Sequence, residues 1–127
     1  MKIKNNQFGE IEFNKDSIIK FEKGLFGFEE LKDFVLINSK DDIFQWLCSI
    51  DEPEIVFPLF QLKAIDKDYP VEEKTDAYGV VTLNSEPTKI SINMKAPVYM
   101  NGETKTGKQV ILDSTKYPVK HLLFVEE

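Results

Sequence analysis

Residues 101–112 read NGETKTGKQVIL, and two incompatible folds follow from two ways of reading them. Gly102-Glu103-Thr104-Lys105-Thr106-Gly107-Lys108 has the spacing of a phosphate-binding loop, where backbone N–H groups and a lysine cradle phosphates between a strand and a helix. That loop needs a Ser or Thr hydroxyl next, to hold Mg²⁺, and the chain has Gln109. The following Val110-Ile111-Leu112 is a β-branched run rather than a helix N-terminus facing an anion. Pro97-Val98-Tyr99-Met100 also reads as strand, Asn101-Gly102 is a strong turn dipeptide and Gly107 is a second break. The stretch is therefore a hairpin in an all-β protein, with Asn101 and Gly107 setting the backbone and Gln109 opening the returning strand.

Outward from the hairpin, period-two patterns dominate. Phe8-Gly9-Glu10-Ile11-Glu12-Phe13 alternates, and Lys89-Ile90-Ser91-Ile92-Asn93-Met94-Lys95 puts Ile90, Ile92 and Met94 on one face. Denser apolar runs at 34–37, 44–48, 55–60 and 78–83 suit strands covered on both faces or in a barrel wall. Residues 121–125, His-Leu-Leu-Phe-Val, read as a closing strand. Breaks at 23–24, 39–42, 51–54, 66–70, 84–88 and 113–116 space the strands at roughly ten residues, the rhythm of a sandwich or barrel. One short helix is expected around 28–33, and Pro58 inside an apolar run marks an edge or a bulge. The whole of 1–127 is expected to be one domain, long enough to bury about two thirds of the surface its unfolded chain exposes.

Hydrophobic residues make up 42% and charged residues 30%, which is globular rather than disordered composition. Twenty-two acidic residues against 16 basic ones leave a net charge of −6. Nucleic acid is held by clustered Lys and Arg that displace counterions, so this balance disfavours a direct grip and favours a basic protein partner. Lys2, Lys4, Lys20, Lys23, Lys89 and Lys95 are dispersed, although an RNA-binding barrel stays open as the alternative. The start of the chain, MKIKNNQFGE, has no apolar signal core, and no run approaches the roughly 20 apolar residues of a membrane span, so a cytoplasmic location is expected.

Catalytic chemistry has little to work with. Cys48 and His121 are the sole cysteine and histidine; Cys48 lies in an apolar strand, where a free thiol packs as a small hydrophobe. The clusters Asp51-Glu52-Pro53-Glu54 and Asp66-Lys67-Asp68 lack the alternating ligands and glycine of a calcium loop, and one histidine does not make a zinc site. A non-enzymatic protein without metal or cofactor is expected.

Several motifs, taken in order, resemble the flagellar assembly factor FliW family. They are Phe8-Gly9-Glu10-Ile11, Ile19-Lys20-Phe21, Gly24-Leu25-Phe26-Gly27-Phe28-Glu29 and Phe44-Gln45-Trp46-Leu47-Cys48-Ser49-Ile50-Asp51-Glu52-Pro53. Asp68-Tyr69, Asn93-Met94-Lys95-Ala96-Pro97-Val98, Asn101, Gly107-Lys108-Gln109-Val110-Ile111-Leu112 and Tyr117-Pro118-Val119-Lys120-His121 continue the resemblance over nearly the entire chain. Family members often have Pro at the positions of Glu22 and Phe26, Gln at Cys48 and Asp-Pro at Gln61-Leu62, and a longer, partly helical segment is usual between the positions of Tyr69 and Tyr78.

The resemblance implies a small β-barrel-like domain of short antiparallel strands with at most one or two short helices, a monomer when free. It also implies two partners: CsrA, a dimeric RNA-binding repressor of translation whose hold on flagellin messenger RNA the protein relieves non-competitively, and flagellin itself. For contacts, the acidic turn of Asp51, Glu52 and Glu54 can face Lys or Arg. Phe60, Tyr69 and Tyr117 lie near breaks and are expected to be partly exposed apolar anchors, although they would serve equally well as covers for barrel ends. Trp46 and the phenylalanines of 24–28 are expected in the core.

Overall fold

A computed structural model describes residues 1–38 and 43–124; the expected break at 39–42 and the last residue of the expected closing strand, Val125, lie outside them. Eleven short strands are described: β1 (Lys2–Asn5), β2 (Gly9–Glu12), β3 (Ile19–Lys20), β4 (Asp33–Asn38), β5 (Gln45–Ser49), β6 (Val56–Gln61), β7 (Thr75–Thr82), β8 (Ser91–Ile92), β9 (Val98–Asn101), β10 (Thr106–Gln109) and β11 (His121–Leu122). Three single turns of 3-10 helix, Lys15–Ser17, Leu62–Ala64 and Pro87–Lys89, are the helical content of the described residues. The all-β expectation holds.

Seven strands close into a barrel in the order β3-β4-β5-β6-β7-β9-β10. The steps from β4 to β7 join dense apolar runs, Val35 facing Cys48, Leu47 facing Phe57 and Leu59 facing Val80, and the other antiparallel steps place Ile19 opposite Phe34, Ala77 opposite Tyr99 and Met100 opposite Gly107. A parallel contact of Thr106 with Lys20 shuts the ring. β8 and β11 extend the far end of β7, through Val81 with Ile92 and Ile92 with His121. β1 and β2 form a separate hairpin.

Alternation along the strands sends neighbours to opposite sides of the wall. Phe21, Phe34, Leu47, Leu59, Tyr78, Val98 and Met100 form one buried cluster, and Trp46, Ala77 and Tyr99 belong to a second, with Leu62, Tyr69, Ile92, Met94 and Tyr117. The first fills the barrel. The second lies outside the wall, under loops and the β1–β2 hairpin, whose Phe8 meets Trp46 edge to face at 5.4 Å. Trp46 is buried as expected.

The hairpin of 101–112 is present, with altered details. Gly107 lies within β10 rather than at a break, and Gln109 ends that strand instead of opening it. Asn101 Oδ1 accepts N–H bonds from Glu103 and Thr104, and Lys105 takes the left-handed conformation at φ 58°. The amides a phosphate would need are thus turned on Asn101, and Lys108 is paired with Glu72 at 2.8 Å.

Three other expectations are corrected or refined. Residues 28–33 are not helical: Gly27, at φ 86°, supports a tight turn closed by Phe28 N–H on Leu25 O, and Asp33 already belongs to β4. The alternating stretch 89–95 contributes only Ser91–Ile92 as strand, because Lys89 ends a 3-10 turn and Asn93 Oδ1 folds the backbone by accepting from Lys95 and Ala96. Pro58 pairs opposite Trp46 on β5, while the ladder to β7 begins only at Leu59, so Pro58 sits on a local edge, as expected.

Candidate functional site

The strand directions gather particular loops at one end of the barrel. β3, β5, β7 and β10 run towards it, and β4, β6 and β9 run away. Residues 21–32, between β3 and β4, and residues 50–55, between β5 and β6, therefore share that end with Gln109. Ile50 N–H on Asp33 O, at 3.0 Å, ties the second loop to the start of β4, where the first loop ends.

The second loop carries the acidic turn. Ser49 Oγ accepts Glu52 N–H at 3.0 Å and Ile55 N–H returns to Glu52 O at 2.9 Å, so the turn is closed by its own backbone and needs no bound ion. Asp51, Glu52 and Glu54 are all exposed. Glu54 is partly committed, since its carboxylate oxygens accept Asn6 N–H at 2.7 and 3.2 Å while Asn5 Nδ2 donates to Pro53 O at 2.6 Å. Among the described residues, Asp51, Glu52 and Glu54 have no ion-pair partner.

The expected aromatic anchors are placed differently. Phe60 is half-buried on β6, packed edge to face against Phe44 at 6.2 Å. Tyr69 and Tyr117 are 2% and 7% exposed, which corrects their expected partial exposure. Their rings lean together at 4.6 Å, Tyr69 donates its hydroxyl to Met94 O, and Tyr117 donates to Asp66 Oδ2 at 2.9 Å. A tyrosine whose ring and hydroxyl are both satisfied inside gains nothing from facing water. Burial pushes the phenol of Tyr69 well above its usual range and raises that of Tyr117, while Asp68 N–H and then Tyr117 hold the Asp66 carboxyl below its own.

Phe26 and Phe28, expected in the core, are instead 49% and 38% exposed, and Phe124 near the end of the described residues is 38% exposed. Their loop carries a usable signal: two glycines and two glutamates around Phe26 and Phe28 describe a turn, and a turn tip projects side chains rather than burying them.

Cys48 is buried in β5, its Sγ 3.3 Å from Pro53 O, and burial followed by the charge of Glu54 raises the thiol above its usual range. Those influences oppose the thiolate that nucleophilic catalysis requires. His121 lies on β11, separated in the sheet from β5 by β8, β7 and β6. Among the described residues, no three His, Cys, Asp or Glu side chains are grouped to hold a metal, and no helix is long and apolar enough to cross a membrane.

Residues 2–123 match the family described as FliW protein. The flagellar assembly factor FliW of Thermosipho africanus (strain TCF52B) is 36% identical over 135 residues, covering 94% of this chain and 93% of the relative. That of Clostridium botulinum (strain Okra / Type B1) is 37% identical over 142 residues, covering 100% and 99%. An alignment of that length on a chain of 127 means the relative has residues without counterparts here. A crystal structure of the flagellar assembly factor FliW superposes with a TM-score of 0.89 at 30% identity, covering 100% of this chain and 99% of the other.

Proposed function

This chain belongs to the FliW family of flagellar assembly factors, and on that premise we propose that it is a protein antagonist of the translational repressor CsrA and a binder of flagellin. In this reading it works in the cytoplasm, without catalysis or cofactor. By holding CsrA it releases flagellin messenger RNA, and free flagellin in turn competes for it, so that subunit synthesis slows when subunits accumulate.

The observation that supports the CsrA reading is electrostatic. A chain of net charge −6 presents Asp51 and Glu52 on a turn where, among the described residues, no lysine is paired with them, and an RNA-binding repressor carries a basic surface. Each exposed pair contributes at most about 1 kcal/mol, so Asp51, Glu52 and Glu54 steer the encounter while apolar contacts hold it. Of the expected anchors, Phe60 keeps accessible surface, and Tyr69 and Tyr117 belong to the buried cluster against which it packs.

Antagonism is non-competitive: binding beside the RNA site raises the free energy of the RNA-bound state. A coupling of about 1–3 kcal/mol weakens RNA binding by roughly 5- to 150-fold, and RNA must weaken the antagonist by the same factor. Co-purification with CsrA, followed by titration with hairpin RNA and with flagellin, tests this. The expected result is capture of CsrA, displacement by flagellin and reciprocal weakening by RNA. Retention of RNA by the isolated chain, with steep salt dependence and no capture of CsrA, would overturn it.

A further inference from the structure

We propose that the Phe26 and Phe28 turn is the anchor with which this chain docks a polypeptide surface bearing an apolar recess rimmed by lysine or arginine. The proposal deepens the reading above and rests on it, since it assigns the anchoring side chains for the basic partner.

Two half-exposed phenylalanines two residues apart are unusual because the loop that presents them is rigid. Gly24 at φ 67° lets the chain fold back so tightly that a Cβ there would lie 2.6 Å from Glu29 Cα and 2.8 Å from Phe28 O. Gly27 at φ 86° closes the turn between Leu25 and Phe28. Phe26 N–H is held by Gln109 Oε1 at 2.9 Å, and Gln109 is itself fixed through Nε2 to Ala96 O at 3.0 Å. Phe28 rests edge to face on Phe57, with centroids 5.0 Å apart, which orients its ring without covering it. Aromatic groups already held in their docking geometry lose little conformational entropy on binding, the property that distinguishes an anchor from an incidental apolar residue.

The surroundings select the occupant by charge. Glu22, Glu29 and Glu30 on this loop and Asp51 and Glu52 on its neighbour are exposed, and none has an ion-pair partner among the described residues. The same two loops contribute only Lys23 and Lys32 in opposition. An apolar centre within an acidic rim repels a second copy of itself and repels anionic lipid, and it attracts a surface of opposite sign.

The test compares wild type with Phe26→Ala and with the double change Glu29→Lys/Glu30→Lys, using purified CsrA by calorimetry and by stopped-flow association. Phe26→Ala is expected to weaken binding by at least ~10-fold, chiefly through faster dissociation, with an unchanged melting temperature. The charge reversal is expected to slow association and flatten its salt dependence. If wild type binds CsrA and Phe26→Ala binds within about two-fold of it, the anchor is wrong and the functional reading stands. If wild type binds no CsrA, both fall. Loss of flagellin binding alone in Phe26→Ala, or a wild-type dimer in sedimentation that Phe26→Ala abolishes, would give the turn a different occupant and overturn the proposal.

Discussion

A Cβ built on Gly107 would lie 2.3 Å from Cζ of Phe21 and 2.5 Å from its Cε2, and Phe21 is fully buried, so the ring has nowhere to retreat. Gly107→Ala is expected to cost about 1–3 kcal/mol through overpacking of the barrel interior. Gly102→Ala, in the same hairpin but facing open space, should stay within about 0.5 kcal/mol. Urea denaturation of the two variants measures the difference, and equal midpoints would refute the packing role of Gly107. Read in sequence, both glycines looked like punctuation, because the residue that makes Gly107 necessary is contributed by a distant loop. The same limit applies to the candidate site. The acidic turn was legible because Asp-Glu-Pro-Glu is a solvent-facing turn by composition alone. Which aromatics face out was not, since the average preference of Phe and Tyr for the interior says nothing about a hydroxyl that finds Met94 O or a ring lifted by Gly27.

At the scale of elements, the β1–β2 hairpin shows how a marginal unit is secured. Two isolated strands are barely stable in water, and this pair is fastened to the β5–β6 turn chiefly through Asn5. Its Nδ2 donates to Pro53 O, and its Oδ1 accepts N–H bonds from Gln7 and Phe8 at 2.6 and 2.9 Å. Asn5→Ala strands all three groups and is expected to lower the local stability of the hairpin by about 1–3 kcal/mol. Native-state hydrogen exchange should show faster exchange in β1 and β2 with unchanged protection in β5 and β6; uniform loss throughout would contradict a separately anchored unit. Alternation identified β2, and the long apolar runs identified β4 to β7. β1, with one apolar residue in Lys-Ile-Lys-Asn, carries almost no periodic signal and becomes a strand only because β2 lies beside it. The expected helix over 28–33 failed for the opposite reason, a local pattern overruled by a glycine turn.

For the molecule as a whole, four buried tyrosines set the alkaline limit. Tyr69, Tyr78, Tyr99 and Tyr117 all have phenols raised by burial, so above about pH 10 the unfolded chain releases protons that the folded one retains. Their contribution to stability is complete below that pH and declines as pH rises further. Chemical denaturation across pH 7–12 should show a plateau and then a fall, with phenolate absorbance appearing together with unfolding; phenolate formation near pH 10 in the folded protein would refute it. The Asp66 carboxyl, held low by Asp68 N–H, works in the other direction and loses its contribution in acid. The strand rhythm disclosed an all-β body, but it could not choose between sandwich and barrel, because that choice depends on which distant strands touch. The decisive contact is Thr106 beside Lys20, a parallel step made by residues near opposite ends of the chain. A nascent polypeptide leaving the ribosome therefore carries β3 with its outer flank unmatched until β10, some 86 residues later, has emerged, so the ring seals as a late and concerted event.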